Sequence, residues 1–161
     1  MSDTKTLYRE DVFAWSKEQA EALRSAAHGG SNQTLDWENL AEEIESVGAS
    51  QKLALRSQMR RIVEHLLKLQ FSPAADPRRG WFETVGDARS EIEDLFQTSP
   101  SLRAEANAAV PSVLRLGSRK ALRELEQHGE LDRTLTDRIR VATYTIEQIL
   151  DEDWFPPEPQ G

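Results

Sequence analysis

A long helical pattern in the first half of the chain limits what this sequence can fold into. At 100° per residue, seven apolar side chains fall on one stripe: Leu40, Ile44, Val47, Leu55, Ile62, Leu66 and Leu69. The stripe continues to Phe71 and predicts an amphipathic helix of about 50 Å. Asp36 is expected to cap its start. Ser72-Pro73 and Asp76-Pro77 should end it, because proline disfavours helical geometry in the preceding residue. Gly48 is its weak point and indicates a bend.

The rest of the chain has the same helical period and no sustained alternation of apolar and polar residues. Further helices are predicted over about residues 11–27, 81–95, 99–127 and 134–142, followed by a last turn or two from residue 145. Capping boxes at Ser16 and Thr145, and Ser99 followed by Pro100, predict helix starts. The predicted fold class is all-α, a helical bundle of about five to six helices with one long amphipathic helix.

The length of 161 residues predicts a single helical domain over residues 1–157, with a disordered tail at 158–161. Cysteine is absent, which excludes disulfides, thiolate metal sites and thiol nucleophiles. The first residues lack the apolar core of a signal peptide, and no stretch is apolar enough to cross a membrane. A soluble, cytoplasmic protein is therefore expected.

The charge is unevenly distributed along the chain. Residues 1–50 hold ten acidic and four basic side chains, whereas residues 51–80 hold two acidic and seven basic ones. The net charge of −8 argues against general nucleic-acid binding, which requires clustered Lys and Arg. The basic side chains of the second segment are Lys52, Arg56, Arg60, Arg61, Lys68, Arg78 and Arg79. We expect them to pair with the protein's own carboxylates, and a nucleic-acid partner is the alternative.

Several ordered motifs resemble the bacterial domain-of-unknown-function family 29. They are the segment from Leu7-Tyr8 to Trp15, Leu40-Ala41-Glu42-Glu43-Ile44-Glu45, His65-Leu66-Leu67-Lys68, Trp81 with Arg89 and Ile92, Ser99-Pro100-Ser101-Leu102, and Tyr144-Thr145-Ile146-Glu147-Gln148-Ile149-Leu150-Asp151-Glu152-Asp153. The resemblance spans nearly the whole chain, and only the segment from His128 to Ala142 is less typical. It implies an all-helical fold and a bacterial source, and no established activity.

Three carboxylates near the start of the long helix form the candidate metal site. Glu38, Glu42 and Glu45 project from one side of the helix, as the ligands of a helical di-metal site must. That side lies roughly opposite the apolar residues at 40, 44 and 47, so the simpler interpretation is that the acids face water. A ferritin-like site also needs a Glu-x-x-His pair, and the sequence contains no such spacing.

A row of polar side chains follows the edge of the apolar stripe of the long helix. Gln51, Gln58 and His65 recur every seven residues and form what we call the polar seam. Buried amides and imidazoles need hydrogen-bond partners, and Arg89 and Glu91 of the following helix are the expected ones. The seam predicts helix pairing in one register. The alternative is a ligand-binding or catalytic site with His65, Glu91 and Arg89 as candidates.

The sequence contains no specific catalytic, phosphate-binding or metal-binding motif and implies no cofactor. The favoured hypothesis is a non-enzymatic helical adaptor or regulatory protein, acting through a protein partner or as a homo-oligomer. The alternative is a hydrolase-like enzyme. It would use His65 with a carboxylate such as Glu42, Glu45 or Glu91, with or without a divalent metal.

Overall fold

The computed structural model of the chain describes residues 3–30 and 33–159, and this part contains seven helices and no strand. They are α1 (Thr4–Glu10), α2 (Val12–His28), α3 (Trp37–Phe71), α4 (Arg78–Thr98), α5 (Leu102–Gln127), α6 (Arg133–Val141) and α7 (Ile146–Leu150). The predicted all-α fold with one long helix is confirmed. The short helix α1 was not predicted.

The start and end of α3 are where local signals predict them. The Asp36 carboxylate accepts a hydrogen bond of 3.3 Å from the backbone N–H of Asn39, and the helix ends at Phe71, just before Ser72-Pro73. Thr145 forms the predicted capping box with Gln148 at the start of α7. Helix α5 runs through Pro111 without a break. Capping side chains close in sequence therefore determine where α3 and α7 begin, and the proline after Ser72 determines where α3 ends.

Two predicted helix caps are wrong. Ser16 lies buried inside the continuous helix α2, where its hydroxyl donates to the carbonyl oxygen of Phe13 at 2.9 Å. The hydroxyl of Ser99 makes its contacts outside α5. The carboxylate of Asp11 instead N-caps α2 and accepts a 2.7 Å hydrogen bond from the backbone N–H of Ser101. One acid thus serves two neighbouring helix starts, which leaves the serines free for other contacts.

The chain divides into two compact units. Unit 1 comprises Met1–Leu55 and Asp94–Glu105, and unit 2 comprises Arg56–Glu93 and Ala106–Gly161. The single domain over residues 1–157 stays a prediction. Gln160 and Gly161, which belong to the predicted disordered tail, lie outside the described residues.

In unit 1, the face of α3 that packs against α2 differs from the predicted one. A Cβ added at Gly48 would collide with Ser16 Oγ and lie 3.1 Å from a ring carbon of Phe13. Ala41 and Gly48 are buried on this face, whereas Leu40 and Val47 are each 41% exposed. The predicted stripe is therefore wrong at Leu40 and Val47, whereas Leu55 is buried as predicted. Close helix packing selects the small side chains, and the larger apolar ones face outward.

In unit 2, α3 is enclosed on nearly all sides. Between Ile62 and Phe71, every residue except His65 and Gln70 is buried. Helix α5 approaches it closely at Gly117, where an added Cβ would lie 2.7 Å from Val63 Cγ1. The last ten residues of α3 thus behave as a central helix, and any polar side chain there must find partners within the protein.

Candidate functional site

The first member of the polar seam lies in unit 1. Gln51 Oε1 accepts a hydrogen bond of 2.7 Å from Ser99 Oγ, and the same hydroxyl oxygen accepts from the backbone N–H of Phe13 at 3.0 Å. Ser99 is fully buried. Gln51 thus completes a chain of hydrogen bonds joining α3, the turn before α5 and the start of α2.

The other two members of the seam lie in unit 2. Gln58 is half-buried, and its Oε1 has no hydrogen-bond partner among the described residues. His65 Nδ1 lies 2.8 Å from the carbonyl oxygen of Arg61. Because a carbonyl oxygen can only accept a hydrogen bond, Nδ1 must donate it and therefore carries the proton. Nε2 then accepts from Lys68 Nζ at 3.3 Å. The imidazole is therefore a neutral tautomer with both nitrogens engaged.

The charges around this histidine are organised by Lys68, whose side chain is only 6% exposed. Its Nζ lies 2.7 Å from Glu124 Oε2 and 3.3 Å from Glu64 Oε1. Glu64 is 2% exposed, and its other oxygen lies 3.0 Å from Lys120 Nζ. Lys68 Nζ also lies 5.3 Å from the ring centre of Trp81, within cation–π range. We name this group the Lys68 cluster: Glu64, His65, Lys68, Lys120 and Glu124.

The cluster fixes the protonation of two of its members. Burial lowers the pKa of His65 below its ordinary value, and the charge of Lys68 acts in the same direction. The hydrogen bond to Arg61 and the nearby carboxylates oppose this without reversing it. Partial burial opposes ionisation of Glu124, but the hydrogen bond and charge of Lys68 outweigh it and hold the pKa of Glu124 below its ordinary value. At neutral pH the cluster therefore contains a neutral imidazole beside an ionised carboxylate.

This geometry suits a structural ion-pair network better than a general base. A base needs a lone pair directed at a substrate, whereas the free lone pair of His65 is directed at Lys68. A cleft of about 590 Å³ in unit 2 is lined by other residues, Ser72, Arg78 and Glu130 among them, and not by His65. The cluster therefore pairs charges that α3 and α5 bring together.

Arg89, one of the expected partners of the seam, serves helix α7 instead. Its buried guanidinium donates from Nε to the carbonyl oxygen of Ile149 and from Nη2 to that of Gln148, both at 2.9 Å. Carbonyl groups in the last turn of a helix lack partners within the helix, which makes them acceptors for a guanidinium. Glu91 is solvent-exposed on α4. The contacts of Arg89 thus attach the C-terminal segment.

The three acids of the candidate metal site lie at the surface of α3. Glu38 and Glu42 are exposed, and Glu45 forms an ion pair of 2.6 Å with Arg24. This hydrogen bond raises the pKa of Arg24. Within residues 3–30 and 33–159, no three His, Asp or Glu side chains are grouped as a metal site requires. The geometry thus shows one acid in a surface ion pair and two in solvent.

The basic segment of residues 51–80 meets carboxylates at several positions. Lys52 pairs with Glu105 at 2.5 Å, Arg79 pairs with Glu83 at 3.0 Å, and Lys68 is paired within its cluster. Three other basic side chains of this segment are solvent-exposed: Arg56, Arg60 and Arg61. The expected internal pairing is confirmed for Lys52, Lys68 and Arg79.

Three members of the Lys68 cluster were not predicted from the sequence: Glu64, Lys120 and Glu124. A signal for Glu64 is present in the sequence, because apolar residues occupy the adjacent positions 62–63 and again 66–67. Such pairs spread around a helix instead of forming one stripe, so the polar residue between them is enclosed. Lys120 and Glu124 carry no comparable signal, since their partners are more than 50 residues away.

Comparison with known proteins assigns the family. The model of the family described as domain of unknown function DUF29 matches residues 7–155. The chain belongs to this family. It is also similar to an alpha-helical protein of unknown function from Rhodospirillum rubrum ATCC 11170. The two structures have a TM-score of 0.66 and 20% sequence identity, covering 91% of this chain and 97% of the other. This likeness supports the fold. No curated protein matches the chain.

None of the helices in the described part of the chain is both long and apolar enough to cross a membrane.

Proposed function

We propose that this protein is a non-enzymatic helical adaptor or regulatory protein that binds a protein partner. The observation that carries the proposal is the outward face of α3 in unit 1, where Leu40 and Val47 are each 41% exposed and Ile44 is half-buried between them. We name these three residues the α3 apolar stripe. Scattered exposed apolar side chains are ordinary, but spacings of i, i+4 and i+7 are typical of helices that dock against a partner.

The charges beside the stripe favour a partner of different composition over a second copy. Asp36 and Glu43 are exposed next to it, and unit 1 is rich in acids. Pairing two copies through the same stripe would bring like charges together, which costs free energy. A partner with apolar anchors flanked by Lys or Arg would complement this surface. We place this association in the cytoplasm, with which the absence of cysteine is consistent.

The hydrolase-like alternative has less support. It requires His65 to act as a base with a carboxylate beside an open cleft, and the imidazole nitrogens are engaged by Lys68 and the carbonyl group of Arg61. Of the carboxylates considered from the sequence, Glu42 and Glu91 are exposed and Glu45 pairs with Arg24.

Substitution within the α3 apolar stripe tests the proposal. Leu40→Glu and Val47→Glu should abolish the complex that affinity purification with cross-linking recovers from the source cells. Leu53→Glu is the matched control, because Leu53 is 70% exposed on the same helix but lies about 120–180° around the helix axis from the three stripe residues. Sedimentation velocity of the purified protein at several concentrations separates self-association from binding to another protein.

A partner or dimer that binds all three variants as well as the wild type would contradict the role of the stripe. A hydrolytic activity that is lost in His65→Leu while the fold remains intact would support the alternative. If no complex is recovered from wild-type cells, the proposal that this protein is an adaptor would also be contradicted.

A further inference from the structure

Two adjoining clefts in unit 2 are lined by basic side chains. The first, of about 150 Å³, is lined by Arg60, Arg119, Lys120 and Arg123 together with Leu116. The second, of about 490 Å³, includes three basic side chains, Arg115, Arg119 and Arg140. Arg119 lines both clefts, and no Asp or Glu among the described residues lines either. We call the two together the α5 basic cleft.

The helix geometry explains why these charges converge. Arg115, Arg119 and Arg123 are spaced four residues apart, so they follow one face of α5 over about 12 Å. Gly117 lets α5 approach α3, because a Cβ at this position would lie 3.2 Å from the carbonyl oxygen of Arg60. The close approach places Arg60 of α3 beside the arginine row of α5.

Most of these cations are not neutralised within the described part of the chain. Lys120 pairs with Glu64 at 3.0 Å, and Arg140 has a long contact of 3.8 Å with Asp137. The remaining four form no salt bridge among residues 3–30 and 33–159: Arg60, Arg115, Arg119 and Arg123. In a chain with 28 acidic and 20 basic side chains, this separation of charge creates a local positive potential that attracts anions.

We propose that the α5 basic cleft binds a compact oligophosphate, a small anion with two or more linked phosphate groups. Guanidinium groups bind phosphate oxygens through paired hydrogen bonds, and a row of them matches successive phosphates. Small size follows from the volumes of the two parts of the cleft, about 150 Å³ and 490 Å³, and from the net charge of −8, since the acidic surface elsewhere repels a long polyanion.

The residues that line the second part of the cleft indicate whether the phosphates belong to an inorganic chain or to a nucleotide. Leu114, Leu122 and Ala142 line it, with the hydroxyl-bearing residues Ser118 and Thr143. This mixed lining suits a nucleoside attached to the phosphate chain. Inorganic tripolyphosphate and metal-free ATP therefore distinguish the two sources. Equal affinities for the two ligands would show that the phosphate chain alone is bound. A higher affinity for ATP would show that the nucleoside also contacts the cleft. Both results support the proposal.

Calorimetric titration of the full-length protein with sodium tripolyphosphate tests the cleft. Binding should weaken as salt is added. Arg119→Gln should lower the affinity by at least about tenfold, because this side chain lines both parts of the cleft. Arg61→Gln is the matched control, an exposed arginine of α3 that lines neither part, and it should change affinity by less than about twofold. Thermal melts of both variants check that the fold is retained.

Three results would overturn the proposal. The first is no heat and no rise in melting temperature with either ligand at about 1 mM, a concentration at which even weak sites are half filled. The second is an equal loss of affinity in Arg61→Gln and Arg119→Gln. The third is a single-stranded oligonucleotide that binds more tightly than tripolyphosphate, which would indicate a nucleic-acid surface. The variants that test the α3 apolar stripe lie in unit 1, so either proposal can fail without the other.

Discussion

Replacing Lys68 by methionine tests whether the Lys68 cluster stabilises unit 2 as a buried ion-pair network. Methionine keeps an unbranched side chain that fills most of the same space, with a sulfur in place of one methylene group, and it removes the ammonium group. Glu64, which is 2% exposed, would lose the 3.3 Å partner of one carboxylate oxygen. Removing one partner of a buried ion pair costs about 3–5 kcal/mol.

The remaining contacts place the expected cost near the lower end of that range. Lys120 stays 3.0 Å from the second oxygen of Glu64, and Glu124 is 34% exposed, so water can replace its lost partner. The free energy of unfolding should therefore fall by about 3 kcal/mol in Lys68→Met. Urea denaturation followed by far-ultraviolet circular dichroism measures this change if the slope m is unaltered.

The chain offers a matched control in the pair Arg79 and Glu83. These residues have the same i, i+4 spacing on a helix, but their side chains are 91% and 62% exposed. Because water screens such a pair, Arg79→Met should cost no more than about 0.5 kcal/mol. Adding Glu64→Gln to Lys68→Met should recover stability, since it removes the buried charge that lost one of its two partners. A loss below about 1 kcal/mol in Lys68→Met, or further destabilisation in the double variant, would refute this reasoning.

Two further predictions concern packing and pH. Gly117→Ala should destabilise the protein by about 1–3 kcal/mol in urea denaturation, because its Cβ would lie 2.7 Å from Val63 Cγ1. Gly86→Ala, with nothing within 4 Å of its Cβ, should be neutral or stabilising, and equal effects would contradict the packing argument. The free energy of unfolding should also decrease as pH falls below about 6.5. The lowered pKa of His65 means that the unfolded chain takes up the proton first. This decline should be missing in His65→Gln, and its persistence there would assign it elsewhere. A second decline, from the lowered pKa of Glu124, should begin only below about pH 4.5.

The helix boundaries were predictable because they depend on neighbours in sequence. Asp36 reaches an N–H three residues away, and Thr145 exchanges hydrogen bonds with Gln148 over the same distance. The cap predicted at Ser99 failed because the contacts of this serine are with distant residues. Asp11 reaches Ser101 across 90 positions, and no local pattern distinguishes this contact from a cap by Ser99.

The inward face of α3 in unit 1 shows why hydrophobicity can mislead. The periodic pattern favours Leu40 and Val47 as core residues, since they carry more apolar surface than Ala41 and Gly48. The neighbouring helix packs so closely at Gly48 that a larger side chain does not fit there. The distance between α2 and α3 therefore decides which face of α3 is buried. This distance is set by contacts between the two helices, and the hydrophobic pattern of α3 alone does not contain it.

The candidate sites were hidden from the sequence for a related reason. A charge count over residues 81–131 gives nine acids against six bases, a net negative segment that suggests no anion site. On the helix, three of those bases follow one face of α5, and the close approach at Gly117 adds Arg60 from α3. Local potential depends on which charges share a surface, and it falls off within about 10 Å at ordinary salt. An acidic protein can therefore carry a basic cleft without contradiction, and the sum of charges along a segment is a poor guide to the ligand that its folded surface attracts.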